Sequence, residues 1–187
     1  MSVSKVIIIS GPPCTGKTTL AKKVASVFGL PIVSCDSIRE ILFDIFNCSN
    51  LVMFRKDREA GFAIMFNILK LLFTCNQNLI IDSTFWRREV RKELKKLQKQ
   101  YKFKSLQINL KSSGIVLWDR YQERVASGHR HKGYLDHLRQ RELRAKIIKG
   151  FSIPPKLKGK TIKVDTTDFT KVDYRGLIKK IKIFLAA

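Results

Sequence analysis

Residues 11–18 read Gly11-Pro12-Pro13-Cys14-Thr15-Gly16-Lys17-Thr18, the pattern G-x-x-x-x-G-K-[ST]. The apolar run Val6-Ile7-Ile8-Ile9 precedes it and is long enough for one buried strand. Thr19-Leu20-Ala21-Lys22-Lys23-Val24-Ala25 follows it as a good helix start. A strand, a glycine-rich turn and a helix in this order turn backbone N–H groups inward around an anion. Gly11 and Gly16 allow the backbone its close approach, Lys17 reaches β- and γ-phosphates, and Thr18 can hold Mg²⁺. The plainer alternative is an ordinary Gly/Pro turn between a strand and a helix.

The chain of 187 residues is long enough for one α/β domain with a proper core. The strand before the loop is too short for a signal peptide, and no apolar stretch approaches the ~18 residues of a membrane span. Cys14, Cys35, Cys48 and Cys75 show neither C-x-x-C spacing nor clustering with histidine. That argues against zinc and against a disulfide framework, so a reduced, cytoplasmic protein is expected. Cys14 lies where a positive field can lower a thiol pKa, although a small loop residue is the simpler view. The net charge of +22 is uneven: residues 87–160 carry 22 basic and 6 acidic groups, and the flanking segments are each +3. Such an excess favours polyanions, nucleic acid above all, unless it is only a lysine-rich surface.

Strand-like and helix-like segments alternate without repeats, which points to α/β with a parallel sheet. Strands are expected at 5–10, 31–34, 79–82, 103–110 and 161–164. Helices are expected at 17–28, 36–47, 55–74, 86–100, 112–127, from the loop 128–133 to about 149, and at 171–185. In the second helix Ile38, Ile41, Leu42, Ile45 and Phe46 recur with helical period, and Asp36 and Ser37 are N-cap candidates. Pro154-Pro155 breaks the chain. Ligands in such sheets bind at the carboxyl ends of strands, where Gly11, Asp36 and Asp82 all fall.

Asp36 and Arg39 share a helix face beside the loop. A carboxylate there can accept a hydroxyl proton while a guanidinium holds a nearby anionic group. Asp82 ends an apolar strand, the position of a carboxylate near Mg²⁺, reached through water; Ser83 and Thr84 can add a hydroxyl in the same way. Arg120 and Arg124 share one helix face running into the loop that carries Arg130, and this region can close over a nucleotide. His129, His131 and His137 lack a convincing metal spacing.

The chain resembles the adenylate-kinase-like P-loop kinases, in particular the polynucleotide-kinase and zeta-toxin-like branch. The resemblance spans nearly the whole sequence. It rests on Gly11 to Ala21, on Cys35-Asp36-Ser37-Ile38-Arg39, on Leu79-Ile80-Ile81-Asp82-Ser83-Thr84, on the segment 120–133, and on Val164-Asp165-Thr166-Thr167. It implies a three-layer α/β fold with a five-stranded parallel sheet, one domain over 1–187 and a helical lid at about 120–137. It implies ATP and Mg²⁺ held by residues 11–19, with Thr19 included, and by Arg120, Asp165 and Thr166. Asp36 is then the base, Lys17, Arg124 and Arg130 act on the transferring phosphoryl group, and Arg39, Asp82 and Thr84 meet the acceptor. Where related lids often read His-Pro-Gly, this chain has His131-Lys132-Gly133. The expected activity is ATP-dependent transfer to a 5′-hydroxyl of RNA or DNA. The alternatives are a small-molecule kinase for a nucleoside, nucleotide-sugar or antibiotic, and a nucleic-acid-associated NTPase without a dedicated acceptor. No membrane or protein partner is expected.

Overall fold

The computed structural model describes residues 3–150 and 153–187. Its centre is β1 (Lys5–Ser10), whose Val6, Ile7, Ile8 and Ile9 are fully buried. Successive side chains of a strand point to opposite faces. Val6 and Ile8 accordingly enter one core while Ile7 and Ile9 enter another. Burial on both faces explains the unbroken apolar run, since a parallel strand needs cover above and below. Each fully buried Ile contributes about 1.5–3 kcal/mol relative to exposure.

Five strands form one sheet in the order β2-β3-β1-β4-β5, with β2 at Ile32–Ser34, β3 at Leu79–Asp82, β4 at Lys104–Lys111 and β5 at Gly159–Asp165. Every pairing is parallel. On one face α1 (Lys17–Phe28) and α7 (Tyr174–Ala186) bury Leu20, Ala21, Val24, Leu177 and Ile181. On the other, α3 (Leu51–Thr74) and α4 (Arg88–Tyr101) bury Met65, Leu69, Phe73, Val90, Leu94 and Leu97. This is the expected three-layer α/β fold. The remaining helices, α2 (Cys35–Phe46), α5 (Gly114–Ala126) and α6 (Gln140–Ile148), surround the carboxyl ends of the strands. None of the described helices is long and apolar enough to cross a membrane.

Three local expectations are corrected. The helix expected from 36 is capped by Ser34, whose side chain accepts from the Ser37 backbone N–H; neither Asp36 nor Ser37 is the cap. The helix expected from 55 begins at Leu51, because the Asn50 side chain accepts from the N–H groups of Val52 and Met53. The helix expected directly after residue 133 begins only at Gln140. Two 3-10 turns, Lys132–Tyr134 and Asp136–Leu138, come first, separated by Leu135 in a left-handed conformation with φ 50°.

Candidate active site

The sheet register sets the site. Asp82, the last residue of β3, lies beside Ile9 of β1 and Ser34 of β2. The loop after β1, the start of α2 and the Asp82 carboxylate therefore meet at one edge, over a cleft of about 900 Å³. That volume suits a nucleotide with a second small ligand.

The loop 11–18 is braced internally. Thr15 Oγ1 donates to the Pro12 carbonyl at 2.9 Å, and Lys17 Nζ donates to the same carbonyl at 2.7 Å. Gly16 adopts φ 82°, a left-handed conformation that glycine accepts freely, and α1 opens immediately after it. Thr18 Oγ1 donates to Asp82 Oδ2 at 2.7 Å, joining the first turn of α1 to the strand-end carboxylate. A hydroxyl and a carboxylate side by side form an all-oxygen donor set. Such a set fits Mg²⁺, which takes one or two protein oxygens and fills its shell with phosphate and water. Burial pushes the Asp82 carboxyl above its ordinary range, while Lys17 and the Thr18 hydrogen bond pull it down. Burial likewise lowers the Lys17 ammonium, with Asp82 and Asp36 pulling it up. Both directions say that desolvation outweighs mutual attraction, as expected where the site is built for further charges. Burial also raises the Cys14 thiol and outweighs the pull of Arg124, Arg130, Lys17 and Arg120, so the positive field does not lower it.

Because Ser34 caps α2, the Asp36 carboxylate is not spent on the helix end. Its side chain is 56% exposed, lines the cleft, and faces Arg39 Nη1 at 3.9 Å. Arg39 is nearly buried, with its guanidinium carbon 5.0 Å from the Phe43 ring centre, 4.7 Å from Phe54 and 5.4 Å from Tyr134.

The arginines expected in a lid play three different parts. Arg120 donates to the Thr166 and Thr167 carbonyls at 2.8 and 2.9 Å and lies 3.9 Å over the Phe169 ring. Arg124 lines the cleft with no ion pair among the described residues. Arg130 lines it too, but its charge is engaged by Asp136 Oδ2 at 2.5 Å and it lies 3.9 Å over Tyr134. The Arg130 guanidinium is thus a brace for this corner. The corner is pinned elsewhere as well. His131 Nδ1 accepts from the Gly133 N–H at 3.0 Å, which leaves Nε2 to face Asp44 at 3.0 Å, and Tyr134 Oη donates to Glu40 at 3.2 Å.

Lys17, Thr18, Thr19, Pro13, Cys14, Gly16, Asp36, Arg39, Thr84, Arg120, Arg124 and Arg130 all border the cleft. Gly11, Pro12, Thr15 and Asp82 are buried and do not border it. Asp165 and Thr166 do not border it. Asp165 accepts from Thr167 and pairs with Lys111 at 3.1 Å, contacts that hold its carboxyl at about 2. Thr166 offers its carbonyl to Arg120, so this loop positions an arginine. Phe54, Arg58, Arg87, Arg139 and Phe169, which no sequence motif marks, also border the cleft, as does Tyr134. One available signal was Gly61, a lone glycine within an otherwise helical run. A Cβ at Gly61 would stand 2.5 Å from Arg39 Cγ, so the glycine makes room for the buried arginine.

Fold and cleft together define a kinase-like P-loop NTPase. The chain belongs to the AAA_33 family, described as an AAA domain, whose model matches residues 6–145. Among solved structures, a candidate kinase from Chloroflexus aurantiacus J-10-fl is 28% identical, covering 98% of this chain and 99% of its own, with a TM-score of 0.90. A gluconokinase from Sinorhizobium meliloti 1021 is 17% identical over 100% of this chain and 94% of its own, with a TM-score of 0.58, a likeness of fold alone. Curated relatives match only locally. A tRNA dimethylallyltransferase of Aster yellows witches'-broom phytoplasma (strain AYWB) is 49% identical over 37 residues, which is 20% of this chain and 13% of the relative. A cytidylate kinase of Ignicoccus hospitalis is 58% identical over 33 residues, which is 18% of this chain and 19% of the relative. The matches thus span less than a fifth of those relatives' length.

Proposed function

We propose that the protein is an ATP-dependent kinase that phosphorylates a hydroxyl group of a small molecule. The observation that carries this reading is Asp36: an acid released from helix capping, in the same cleft as Lys17 and as Thr18, whose hydroxyl donates to the Asp82 carboxylate. A nucleotide switch without an acceptor has no use for such a group.

In this reading the backbone N–H groups of residues 13–18 and the Lys17 ammonium hold the donor's β- and γ-phosphates. Thr18 and Asp82 would hold Mg²⁺, which would supply neutralisation of the phosphate charge. The Arg120–Phe169 stack offers a flat surface beside Gly16 for the base. Asp36 accepts the proton of the acceptor hydroxyl as its oxygen bonds to the γ-phosphorus and the bond to the β-γ bridging oxygen breaks. Arg124 stabilises the charge that develops on the transferring group.

A small acceptor is favoured over a polynucleotide end for two reasons. The gluconokinase fold relative acts, by its name, on a sugar acid. Much of the basic surplus also lies away from the cleft: Lys92, Lys95, Lys96 and Lys99 are exposed on α4. From the basic segment 87–160 only Arg87, Arg120, Arg124, Arg130, Arg139 and Lys146 border the cleft.

The test is transfer of labelled γ-phosphate to a panel of nucleosides, sugars, sugar acids and a 5′-hydroxyl oligonucleotide. Label on a small acceptor supports the reading, while label on the oligonucleotide alone restores the polynucleotide activity. Release of free phosphate with every acceptor left unlabelled overturns the kinase reading. Asp36→Asn should lower turnover about 10²–10⁴-fold with nucleotide affinity nearly intact; unchanged turnover removes Asp36 as base.

A further inference from the structure

The cleft holds two separate sets of arginines. Arg120, Arg124 and Arg130 border the cleft near the phosphate loop, close enough to Cys14 for their charges to pull its thiol down against burial. The second set is Arg39, Arg58, Arg87 and Arg139, which all border the cleft, with Arg39 facing Asp36 at 3.9 Å. Arg39 and Arg139 lie over one ring, their guanidinium carbons 4.7 and 4.5 Å from the centre of Phe54. Arg58 sits among them: after burial, the charges of Arg87, Arg39 and Arg139 are what lower its pKa.

The compensation for this crowding is incomplete. Arg39 has Asp36 at 3.9 Å, Arg87 has Glu89 at 3.4 Å, and Arg139 has Glu142 at 3.4 Å. Glu142 is shared with Lys146, and Glu89 is largely exposed. Arg58 has no ion pair among the described residues. Arg39 Nε and Nη2 and Arg58 Nε are buried without a hydrogen-bond partner among the described residues, although the Arg39 side chain is only 8% exposed. Burying guanidinium nitrogens unpaired is costly. Keeping four such groups together makes physical sense where an anion completes them, and the planar guanidinium fork matches phosphate oxygens.

We infer that Arg39, Arg58, Arg87 and Arg139 form a second oxyanion site, for a phosphoryl group already present on the acceptor molecule. The inference rests on the kinase reading for the word acceptor, but the site itself is defined without it. A phosphoryl group seated here lies beside Asp36, so the phosphorylated compound presents its free hydroxyl to the base. The Phe54 ring, flanked by two of the arginines, gives the carbon skeleton an apolar contact.

The experiment separates the two claims. The protein is saturated with Mg²⁺ and a non-hydrolysable ATP analogue, so that the phosphate loop is filled, and inorganic phosphate is titrated in by calorimetry. One phosphate site is expected. Arg58→Gln and, separately, the more exposed Arg87→Gln should each weaken it about tenfold or more, as loss of a charged hydrogen bond does. Both variants should keep their affinity for the ATP analogue, and Lys92→Gln on the solvent side of α4 should leave phosphate binding unchanged. No phosphate binding to the nucleotide-loaded protein, or binding that ignores both arginine substitutions, overturns the inference. In competition, phosphorylated sugars or nucleoside monophosphates should displace phosphate at least about tenfold better than their unphosphorylated forms. Equal displacement overturns it, as does displacement by a 5′-hydroxyl oligonucleotide alone. A phosphate site that behaves as described, in a protein that labels no acceptor, upholds the site and sinks only the kinase reading.

Discussion

Asp36 owes its availability to a residue two positions earlier. Ser34 ends β2 and also caps α2, and only Cys35 separates it from the acid. Arg39, one turn on, depends on Gly61 in the same way. Gly61→Ala puts a methyl 2.5 Å from Arg39 Cγ, and either the arginine leaves its aromatic surround or α3 shifts. The expected cost is about 1–3 kcal/mol, read as a lowered thermal midpoint, with acceptor KM raised and nucleotide affinity unchanged. Cys35 offers a pH test at the same spot. Burial, with Asp36 second, pushes its thiol up from 9.0 to about 12. A folded pKa above the unfolded one means that the stabilisation is complete below pH 9 and is lost as pH rises towards 12. Cys35→Ser should flatten that alkaline decline in unfolding titrations. At this scale the positions of Lys17, Thr18, Asp36 and Asp82 were readable, because a motif or a strand end dictates where each residue falls. It was not readable for Arg58 or Phe169, which reach the cleft only through the way distant segments pack.

Among elements, the segment 131–135 shows how tertiary contacts override local pattern. Its polar, glycine-bounded sequence marks a loop, and the basic residues after it continue as a plausible helix. Packing decides otherwise. Gly133 lies so close to Phe43 that an added Cβ would stand 2.4 Å from the ring, and Tyr134 joins Phe43, Cys48 and Phe54 in a small core of its own. The chain can reach that core only by the tight turns that delay α6 to Gln140. Gly133→Ala should therefore lift this corner from α2. Faster amide exchange at residues 131–136, with β1 exchange unaltered, is the expected signature. Equal exchange in the two proteins would show that the corner is held by Arg130–Asp136 and His131–Asp44 alone. Strands and the first and last helices were legible because burial on both faces, or on one stripe, leaves a strong period. The N-terminal turn of α3 was missed because its start depends on one capping side chain, Asn50, ahead of an apolar stretch that carries no break.

For the molecule as a whole, alternating segments and the phosphate-loop position were enough to anticipate the layers and the parallel sheet. The strand order was not, because pairing β3 between β1 and β2 is settled by long-range contacts. The net charge of +22 acts on the whole body. Like charges oppose compaction, and salt screens them over a Debye length of about 10 Å at 0.1 M. Raising salt from about 0.05 to 0.5 M should raise the thermal midpoint by a few degrees, read by calorimetry with a neutral osmolyte as control. A midpoint that falls with salt would mean that ion pairs outweigh repulsion. The stack of Arg120 on Phe169 carries a last consequence. Arg120 grips the chain after β5, and Phe169 leans to within 3.0 Å of where a side chain on Gly16 would begin. On the kinase reading proposed above, a base that displaced that ring would also disturb the turn at Gly16, so discrimination among bases and strength of grip on the triphosphate would be one mechanical property, not two.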